Sequence, residues 1–385
     1  MNIPYGKQFI SDDDVAVVID ALKSDFLTQG PKIAEFEKAF ADYIGAKYGV
    51  AVANGTAALH LCTLALGVDE NTNVITTPIT FAASANCVLY CGGKVTFADI
   101  DPATATIDLD EVEKILRANP KGTFKGLIPV DFAGYPVDME KARKLADEFG
   151  LWIIEDACHA PGGFFIDSKG EKQFCGNGKY ADLAIFSFHP VKHIACGEGG
   201  MITTNNDELY KKLLILRTHG ITKDPSLLTK NDGGWYYEMQ QLGYNYRLTD
   251  FQAALGTSQL ARAEEGVQKR NAIAKKFDAA FKGTNVKTMA LPKDNGHAYH
   301  LYLIQVENRK GLYDYLRTKG IFTQVHYIPV HTLPYYQTHG YKEISMPNAE
   351  HYYAHCLSLP MFPTLTGEEQ DYVINEVKSF THIHE

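Results

Sequence analysis

The sequence predicts an α/β fold, with a large domain on a mainly parallel mixed sheet and a small α+β domain at the C-terminus. Short apolar strands alternate with helical patterns from about residue 48 to residue 155, which is typical of βαβ units with helices on both faces of a sheet. Glycines at 45, 67, 92 and 150 follow helical patterns at the position that favours a left-handed cap. After about residue 285 this alternation stops. We therefore expect an N-terminal arm and large domain over 1–265 and a small domain over 266–385.

Composition and charge exclude several classes of partner. The chain has 385 residues with 37 basic and 46 acidic side chains, which gives a formal net charge of −9. This charge disfavours nucleic acids and anionic membranes, and no apolar run approaches the ~18 residues of a membrane span. The seven cysteines form no CxxC pair, which indicates free thiols in a reducing compartment and no metal centre. No signal peptide opens the sequence, and we expect a cytoplasmic protein.

The elements follow from local signals. Ser11 precedes three acidic residues and caps a helix over 12–23, and Pro31 suits the first turn of a helix over 31–45. Apolar periodicity and terminal glycines predict further helices over 57–66, 81–91, 110–117, 138–149, 207–217, 248–274, 312–319 and 368–380. Short apolar runs predict strands over 48–53, 74–77, 94–98, 126–131, 151–155, 182–188, 200–204, 300–306 and 322–327.

The first motif of chemical interest joins a predicted strand to a predicted helix. It reads Asn54-Gly55-Thr56-Ala57-Ala58. Small residues and a hydroxyl at a helix start present N–H donors to an anion, above all to a phosphate. Simple capping of the helix by Thr56 is the favoured interpretation of this motif taken alone, and both interpretations stay open at this point.

The second motif follows the predicted strand over 151–155. Glu155 and Asp156 come at its carboxyl end, where ligands of open parallel sheets bind. A paired structural charge is the alternative for these acids. His159, three residues after Asp156, is by itself an ordinary core or loop histidine.

The third motif follows the predicted strand over 182–188. Lys192 lies there in a loop between aromatic and small residues. A solvated surface lysine is the simplest interpretation, but a desolvated lysine has a lowered pKa and forms Schiff bases. Together, a phosphate cradle, a strand-end aspartate and this lysine are the set that a pyridoxal 5′-phosphate (PLP) enzyme requires.

The sequence resembles the nucleotide-sugar aminotransferases of the DegT/DnrJ type, a family of fold type I, aspartate-aminotransferase-like PLP enzymes. The motifs that carry the resemblance lie in the family's order at 26–31, 77–81, 155–157, 187–192, 198–200 and 243–248. Residues 324–331 and 357–360 are similar to the group that acts in pseudaminic acid biosynthesis.

The resemblance implies a role for each candidate site residue. Lys192 would be the Schiff-base lysine, and Asp156 would bind the pyridine nitrogen. Further cofactor contacts would come from Gly55, Thr56, Ala57, Phe81, His159, Ser187 and Asn245. Of these, Phe81 would stack on the ring, and Asn245 would reach the neighbouring subunit's phosphate in a homodimer with shared sites. The nucleotide sugar would contact Tyr5, Phe26, Leu27, Thr28, Gln324, Val325, His326 and Tyr327.

The implied reaction moves an amino group from L-glutamate to C4 of a UDP-linked 4-keto-6-deoxy-N-acetylhexosamine. Amination at C3 and another UDP- or dTDP-keto-sugar remain alternatives. A PLP sugar dehydrase is a further alternative, but such enzymes carry histidine in place of the lysine. A non-catalytic regulator that keeps the fold is the last, and the intact Asp156 and Lys192 argue against it.

Overall fold

The computed structural model describes residues 1–292, 294 and 296–383. Its strands are β1 Tyr48–Val52, β2 Asn73–Thr76, β3 Lys94–Phe97, β4 Gly126–Ile128, β5 Trp152–Asp156, β6 Phe164–Ile166, β7 Lys172–Phe174, β8 Leu183–Ser187, β9 Gly200–Thr204, β10 Ile221–Thr222, β11 Glu238–Met239, β12 Lys287–Thr288, β13 Tyr302–Gln305 and β14 Cys356–Leu359. Its α-helices are α1 Asp12–Lys23, α2 Pro31–Ile44, α3 Gly55–Ala65, α4 Ala83–Tyr90, α5 Leu109–Arg117, α6 Met139–Phe149, α7 Asp207–Leu216, α8 Asp250–Leu260, α9 Ala263–Phe281, α10 Arg309–Thr318, α11 Pro334–Tyr336, α12 Pro347–His355 and α13 Gly367–Ile383.

A seven-stranded sheet in the order β1-β9-β8-β5-β4-β2-β3 forms the centre of the fold. The pairs from β8 to β3 are parallel, whereas β9 is antiparallel to both of its neighbours. Helices connect the parallel strands and cover them, and the sheet and α3 and α4 share one buried apolar cluster. The predicted α/β class with a mainly parallel mixed sheet is confirmed.

The direction of β9 determines where the loop between β8 and β9 lies. Strands β1, β5 and β8 all point the same way, because β9 is antiparallel to both β1 and β8. Their carboxyl ends therefore lie at one edge of the sheet, and the loop that leaves β8 and enters β9 stays at that edge. The chain thus brings the start of α3, the end of β5 and the loop containing Lys192 together.

Two predicted elements in this part of the fold are wrong. The helix over 248–274 is two helices, α8 and α9, with a break at residues 261–262. At the break, the Arg262 guanidinium binds the buried Asp14 carboxylate of α1 at 2.6 Å. The break lets α8 pack on α1 and α2 while α9 continues into a second apolar cluster.

The predicted strand over 322–327 is also wrong. This segment makes a single bridge, between Gln324 and Ser358, and the peptide bond between His326 and Tyr327 is cis. The position beside β13 is taken by β14, from a segment that the sequence left unassigned. The short antiparallel hairpin of β6 and β7 was likewise not predicted.

The C-terminal segments share an apolar cluster with α9 and with Ile3 of the N-terminal arm. Ile3 is fully buried and pairs with Ile321, so the arm is part of this packing. The predicted boundary at residue 265 falls near the start of α9, and the division into two domains stays a prediction.

Each of the seven cysteines is unpaired. Within the described residues, no helix has both the length and the apolar character needed to cross a bilayer.

Candidate active site

A cavity of about 470 Å³ lies at the carboxyl edge of the sheet. Ten of the residues predicted from the sequence line it: Tyr5, Gly55, Thr56, Phe81, Asp156, His159, Ser187, Lys192, His326 and Tyr327. A larger cleft, of about 650 Å³, lies elsewhere beside α6 and the β6–β7 hairpin and shares none of these residues. The candidate chemistry is therefore gathered in the smaller cavity.

The start of α3 forms one wall of the cavity. Asn54, not Thr56, is the N-cap, because its side chain accepts a hydrogen bond of 2.8 Å from the Ala57 N–H. This leaves the Thr56 hydroxyl available, and among the described residues neither it nor the Ser187 hydroxyl has a hydrogen-bond partner. The N–H groups of Gly55 and Thr56 have no intrahelical acceptor, as in any first helical turn. Donors to an anion thus converge here.

The absence of a side chain at Gly55 is part of this wall. A Cβ atom at Gly55 would lie 3.1 Å from the Ser187 Cβ and 3.4 Å from the Cys158 Sγ. A larger residue would push against Ser187 and narrow the space at the helix start. Gly55 therefore keeps the backbone open to a bound group.

Asp156 lies at the end of β5, and its side chain is 5% exposed. Its Oδ2 accepts a hydrogen bond of 2.6 Å from the Ser84 hydroxyl, and its Oδ1 accepts one of 3.2 Å from the Cys158 N–H. A carboxylate has about four acceptor positions, so Asp156 retains capacity for a donor in the cavity. Ser84 was not predicted, because nothing in its sequence context distinguishes it from a core residue of α4.

Lys192 is half-buried in the loop after β8 and lines the same cavity. Within the described part of the chain it makes no salt bridge. Desolvation by burial lowers its pKa below the usual value, and the Arg270 charge adds to this, although Cys158 and Asp156 oppose it. Its amine is therefore easier to deprotonate than that of a surface lysine.

Aromatic rings also line the cavity. Phe81 is 62% exposed, so it is not a core aromatic, and its ring lies 6.3 Å from that of Tyr327. The Tyr5 and His326 rings are 5.6 Å apart. The Tyr327 hydroxyl lies 3.4 Å from the His159 Nε2.

Seven predicted site residues do not line this cavity: Ala57, Asn245, Phe26, Leu27, Thr28, Gln324 and Val325. The N–H of Ala57 is used by the Asn54 cap, and Asn245 is exposed beside Thr218. The segment of residues 26–28 is exposed and runs past the start of α8. A single chain therefore does not bring these seven residues to the cavity.

The residues that are present fit PLP. The cofactor presents a phosphate, a pyridine nitrogen and an aldehyde. The start of α3 with the partnerless hydroxyls of Thr56 and Ser187 suits the phosphate, and the buried Asp156 carboxylate suits the ring nitrogen. Lys192 supplies the amine. All of these groups face one cavity.

Comparisons with known proteins support this assignment. Residues 8–378 match the DegT/DnrJ/EryC1/StrS aminotransferase family. The chain is 37% identical over 385 residues to the spore coat polysaccharide biosynthesis protein SpsC of Bacillus subtilis, covering 98% of this chain and 96% of that one. It is also 37% identical over 377 residues to the UDP-4-amino-4,6-dideoxy-N-acetyl-beta-L-altrosamine transaminase of Campylobacter jejuni, covering 96% and 95% of the two chains.

A solved structure gives the same result. The structure of Helicobacter pylori PseC, an aminotransferase involved in the biosynthesis of pseudoaminic acid, aligns with a TM-score of 0.89 at 29% identity, and the alignment covers all of both chains. Enzymes of the matched family depend on PLP, and PLP-bound structures occur among the similar solved folds. The chain therefore belongs to the DegT/DnrJ/EryC1/StrS aminotransferase family and is a PLP-dependent sugar aminotransferase.

Proposed function

We propose that the enzyme transfers the amino group of L-glutamate to C4 of a UDP-linked 4-keto-6-deoxy-N-acetylhexosamine, in a pathway to a pseudaminic acid-type sugar. The observation that carries this proposal is the similarity, over nearly the whole chain, to the Campylobacter jejuni transaminase and to PseC. The cavity, which both Asp156 and Lys192 line, supports the same chemistry.

The proposed chemistry assigns one task to each polar group. PLP supplies an aldehyde that binds amines covalently and a pyridinium ring that withdraws electrons from the attached carbon. Asp156 keeps the ring nitrogen protonated by holding a negative charge beside it. The Nζ of Lys192 would act as the base that holds and moves a proton at the substrate carbon. The start of α3 and Ser187 bind the phosphate.

The position of Lys192 argues against a sugar dehydrase, which would need a histidine in its place. His193 is the adjacent histidine, but it does not line the cavity. Its Nε2 donates a hydrogen bond of 2.9 Å to the Ala298 carbonyl. The geometry, like the sequence, therefore supports Lys192 and not His193 as the residue at the position of the Schiff-base lysine.

We also propose a homodimer with shared active sites. Asn245 is exposed and lies outside the cavity of its own chain, as expected of a residue that serves a neighbouring subunit. Large apolar side chains nearby are also exposed, with Trp235 at 74% and Leu242 at 75%. Exposed large apolar side chains in one stretch of the chain favour an interface.

Mixing two inactive variants tests the shared site. Lys192→Ala would be inactive, and Asn245→Ala would bind PLP poorly. After subunit exchange, half of the dimers of a symmetric pair are mixed and each contains one intact site, so about one quarter of the wild-type activity returns. Two Lys192→Ala preparations mixed in the same way serve as the control. No recovery in exchanged dimers would contradict the role of Asn245.

The substrate is tested by offering a panel of UDP- and dTDP-linked keto-sugars with L-glutamate and identifying the amino-sugar by NMR. The proposal expects the UDP-4-keto-6-deoxy-N-acetylhexosamine to be consumed fastest and the new amine to be on C4. L-Glutamine and L-alanine in place of glutamate test the donor. Preferred turnover of a 3-keto-sugar or of a dTDP-sugar would replace the proposed substrate but leave the aminotransferase assignment intact.

A further inference from the structure

One contact in the cavity involves a residue to which neither the motifs nor the family match assigns a role. The Nζ of Lys192 lies 3.5 Å from the Nε2 of His300. His300 comes just before β13, is 4% exposed and lines the cavity. Among the described residues, no other hydrogen-bond partner of the Lys192 amine is present.

The backbone around His300 is held rigidly. The buried guanidinium of Arg270, in α9, donates its Nη1 hydrogen bonds to three carbonyls, those of Tyr299, His300 and Met361, at 3.1, 3.2 and 3.0 Å. Arg270 is 2% exposed. Because one buried guanidinium binds the carbonyls of Tyr299, His300 and Met361, the backbone that carries His300 is held beside the cavity.

The protonation of the ring follows from its partners. In its ammonium form Lys192 has three donors and no acceptor, so the Nε2 that faces this form is the nitrogen without a proton. The Nδ1 of His300 is buried and has no partner within the described residues. Burial, together with the nearby charges of Lys192, His159, His193 and Arg270, holds the pKa of His300 well below its usual value, so the ring is neutral.

The neighbouring histidines are committed to other partners. The His159 Nδ1 accepts a hydrogen bond of 3.1 Å from the Ala133 N–H, and the His193 Nε2 donates to the Ala298 carbonyl. The His159 and His193 rings lie 4.3 and 5.9 Å from the His300 ring. His300 alone of the three thus faces Lys192 with an available acceptor.

We propose that His300 is a positioning residue of the aminotransferase, whose Nε2 accepts a hydrogen bond from the Lys192 amine whenever that amine is not bonded to the cofactor. The bond orients the amine, and the remaining lone pair of Nζ points into the cavity. This inference rests on the proposed role of Lys192.

The proton balance is simple. The neutral Lys192 amine takes one proton from the substrate carbon and becomes an ammonium group. The hydrogen bond to His300 then becomes charge-assisted and stabilises this state. The ammonium gives the same proton to the cofactor carbon, and the amine is neutral again. His300 stays neutral throughout, and no other reactant is needed.

The other charged and titratable groups around Lys192 set its background pKa. They come from the end of β5 and the following loop, from the loop after β8, from α9 and from the segment after residue 321: Asp156, Cys158, His159, His193, Arg270 and His326. Variants at His300 leave the others in place, so a change in Lys192 reactivity reports on His300.

The first experiment uses cofactor-free protein. Reaction of Lys192 with acetic anhydride is followed against pH by mass spectrometry of its peptide. In His300→Phe the ammonium loses its acceptor, so we expect the pKa of Lys192 to fall by roughly one unit. His300→Gln, whose amide oxygen can accept, should recover part of this shift. His300→Asn is too short to reach and serves as a second test if the phenylalanine variant does not fold.

The matched control is His297→Phe. His297 is a buried histidine of the same loop, and its Nδ1 accepts the Tyr299 N–H at 2.9 Å, but it does not line the cavity. This variant should lower the melting temperature and leave the Lys192 profile unchanged. An unchanged profile in His300→Phe, or an equal shift in His297→Phe, would overturn the proposal.

The second experiment measures single turnovers of the PLP-loaded enzyme with L-glutamate. His300→Phe should slow the proton-transfer step about 10- to 100-fold with little change in glutamate KM. A normal rate would also overturn the proposal. A different result would show that the proposed role of Lys192 is wrong: Lys192→Ala would then retain turnover, independently of the results for the His300 variants.

Discussion

Ser84 donates a hydrogen bond of 2.6 Å to the Oδ2 of Asp156, although 72 residues separate the two. The Ser84 oxygen also lies 2.8 Å from the Thr80 hydroxyl. Because Ser84 gives its single proton to Asp156, the Thr80 hydroxyl is the donor in that second contact. A short chain of hydroxyls in and before α4 thus orients the carboxylate proposed to bind the cofactor.

Removal of this hydroxyl should weaken cofactor binding. In Ser84→Ala, Asp156 loses a charge-assisted hydrogen bond, and we expect the Kd for PLP to rise about tenfold. Absorbance titration of the cofactor-free protein measures it. Ser258→Ala is the matched control, because the Ser258 hydroxyl donates an equally short bond, 2.6 Å, to Asp14 away from the cavity. Equal PLP affinities in the two variants would contradict the prediction.

A methyl group at Gly55 should act on the phosphate side of the site. In Gly55→Ala the new Cβ meets Ser187 and Cys158, so we expect PLP affinity to fall about tenfold. Stability should change little, because alanine favours helices. Gly367→Ala, at the start of α13 with no atom within 4 Å of the new Cβ, is the control. Unaltered PLP binding in Gly55→Ala would show that the cradle tolerates the methyl group.

Removal of the Lys192 amine should abolish catalysis. We expect Lys192→Ala to lose the visible absorbance of the covalently bound cofactor and all measurable turnover. Lys38→Ala is the control, since Lys38 is an exposed lysine that pairs with Asp42 on α2. The prediction would be falsified if the alanine variant retained turnover with L-glutamate and a keto-sugar.

A buried pair of carboxyl groups behind the site should make stability depend on pH. A carboxylate oxygen of Asp131, a carboxylate oxygen of Glu155 and the Sγ of Cys175 lie within 4.8 Å of one another. Both acids are almost fully buried. Burial raises the pKa of Asp131 to about 7. Burial and the Asp131 charge raise the pKa of Glu155 well above its usual value.

The sign of the effect follows from these raised pKa values. The folded state binds more protons than the unfolded state above pH ~4, so the unfolding free energy falls as pH rises through about 7, by at most ~1.4 kcal/mol per pH unit for each group. Asp131→Asn should flatten this slope between pH 5 and 8 in urea unfolding at one protein concentration. Glu70→Gln, at an exposed acid, should not. An unchanged slope in Asp131→Asn would assign the pH dependence to other groups.

Local patterns predicted most of the elements because caps, glycine stops and apolar runs act within a few residues. Ser11 caps α1 with a capping box, and β9 has the predicted bounds. The errors occur where a residue far away along the chain determines the local structure. Asp14 of α1 binds Arg262, 248 residues away, at the break between α8 and α9. The segment over 322–327 was predicted as a strand, but β14 is the strand that pairs with β13.

The sequence by itself determined the α/β class, the family and the set of residues proposed to bind PLP, because each depends on residue types in a fixed order along the chain. Tertiary structure decided which of them meet. The antiparallel β9 returns the Lys192 loop to the edge that holds Asp156, and α4 brings Ser84 to that carboxylate. His300 reaches Lys192 across 108 residues. Such contacts depend on how strands and helices pack in space, and no local pattern of side chains encodes them.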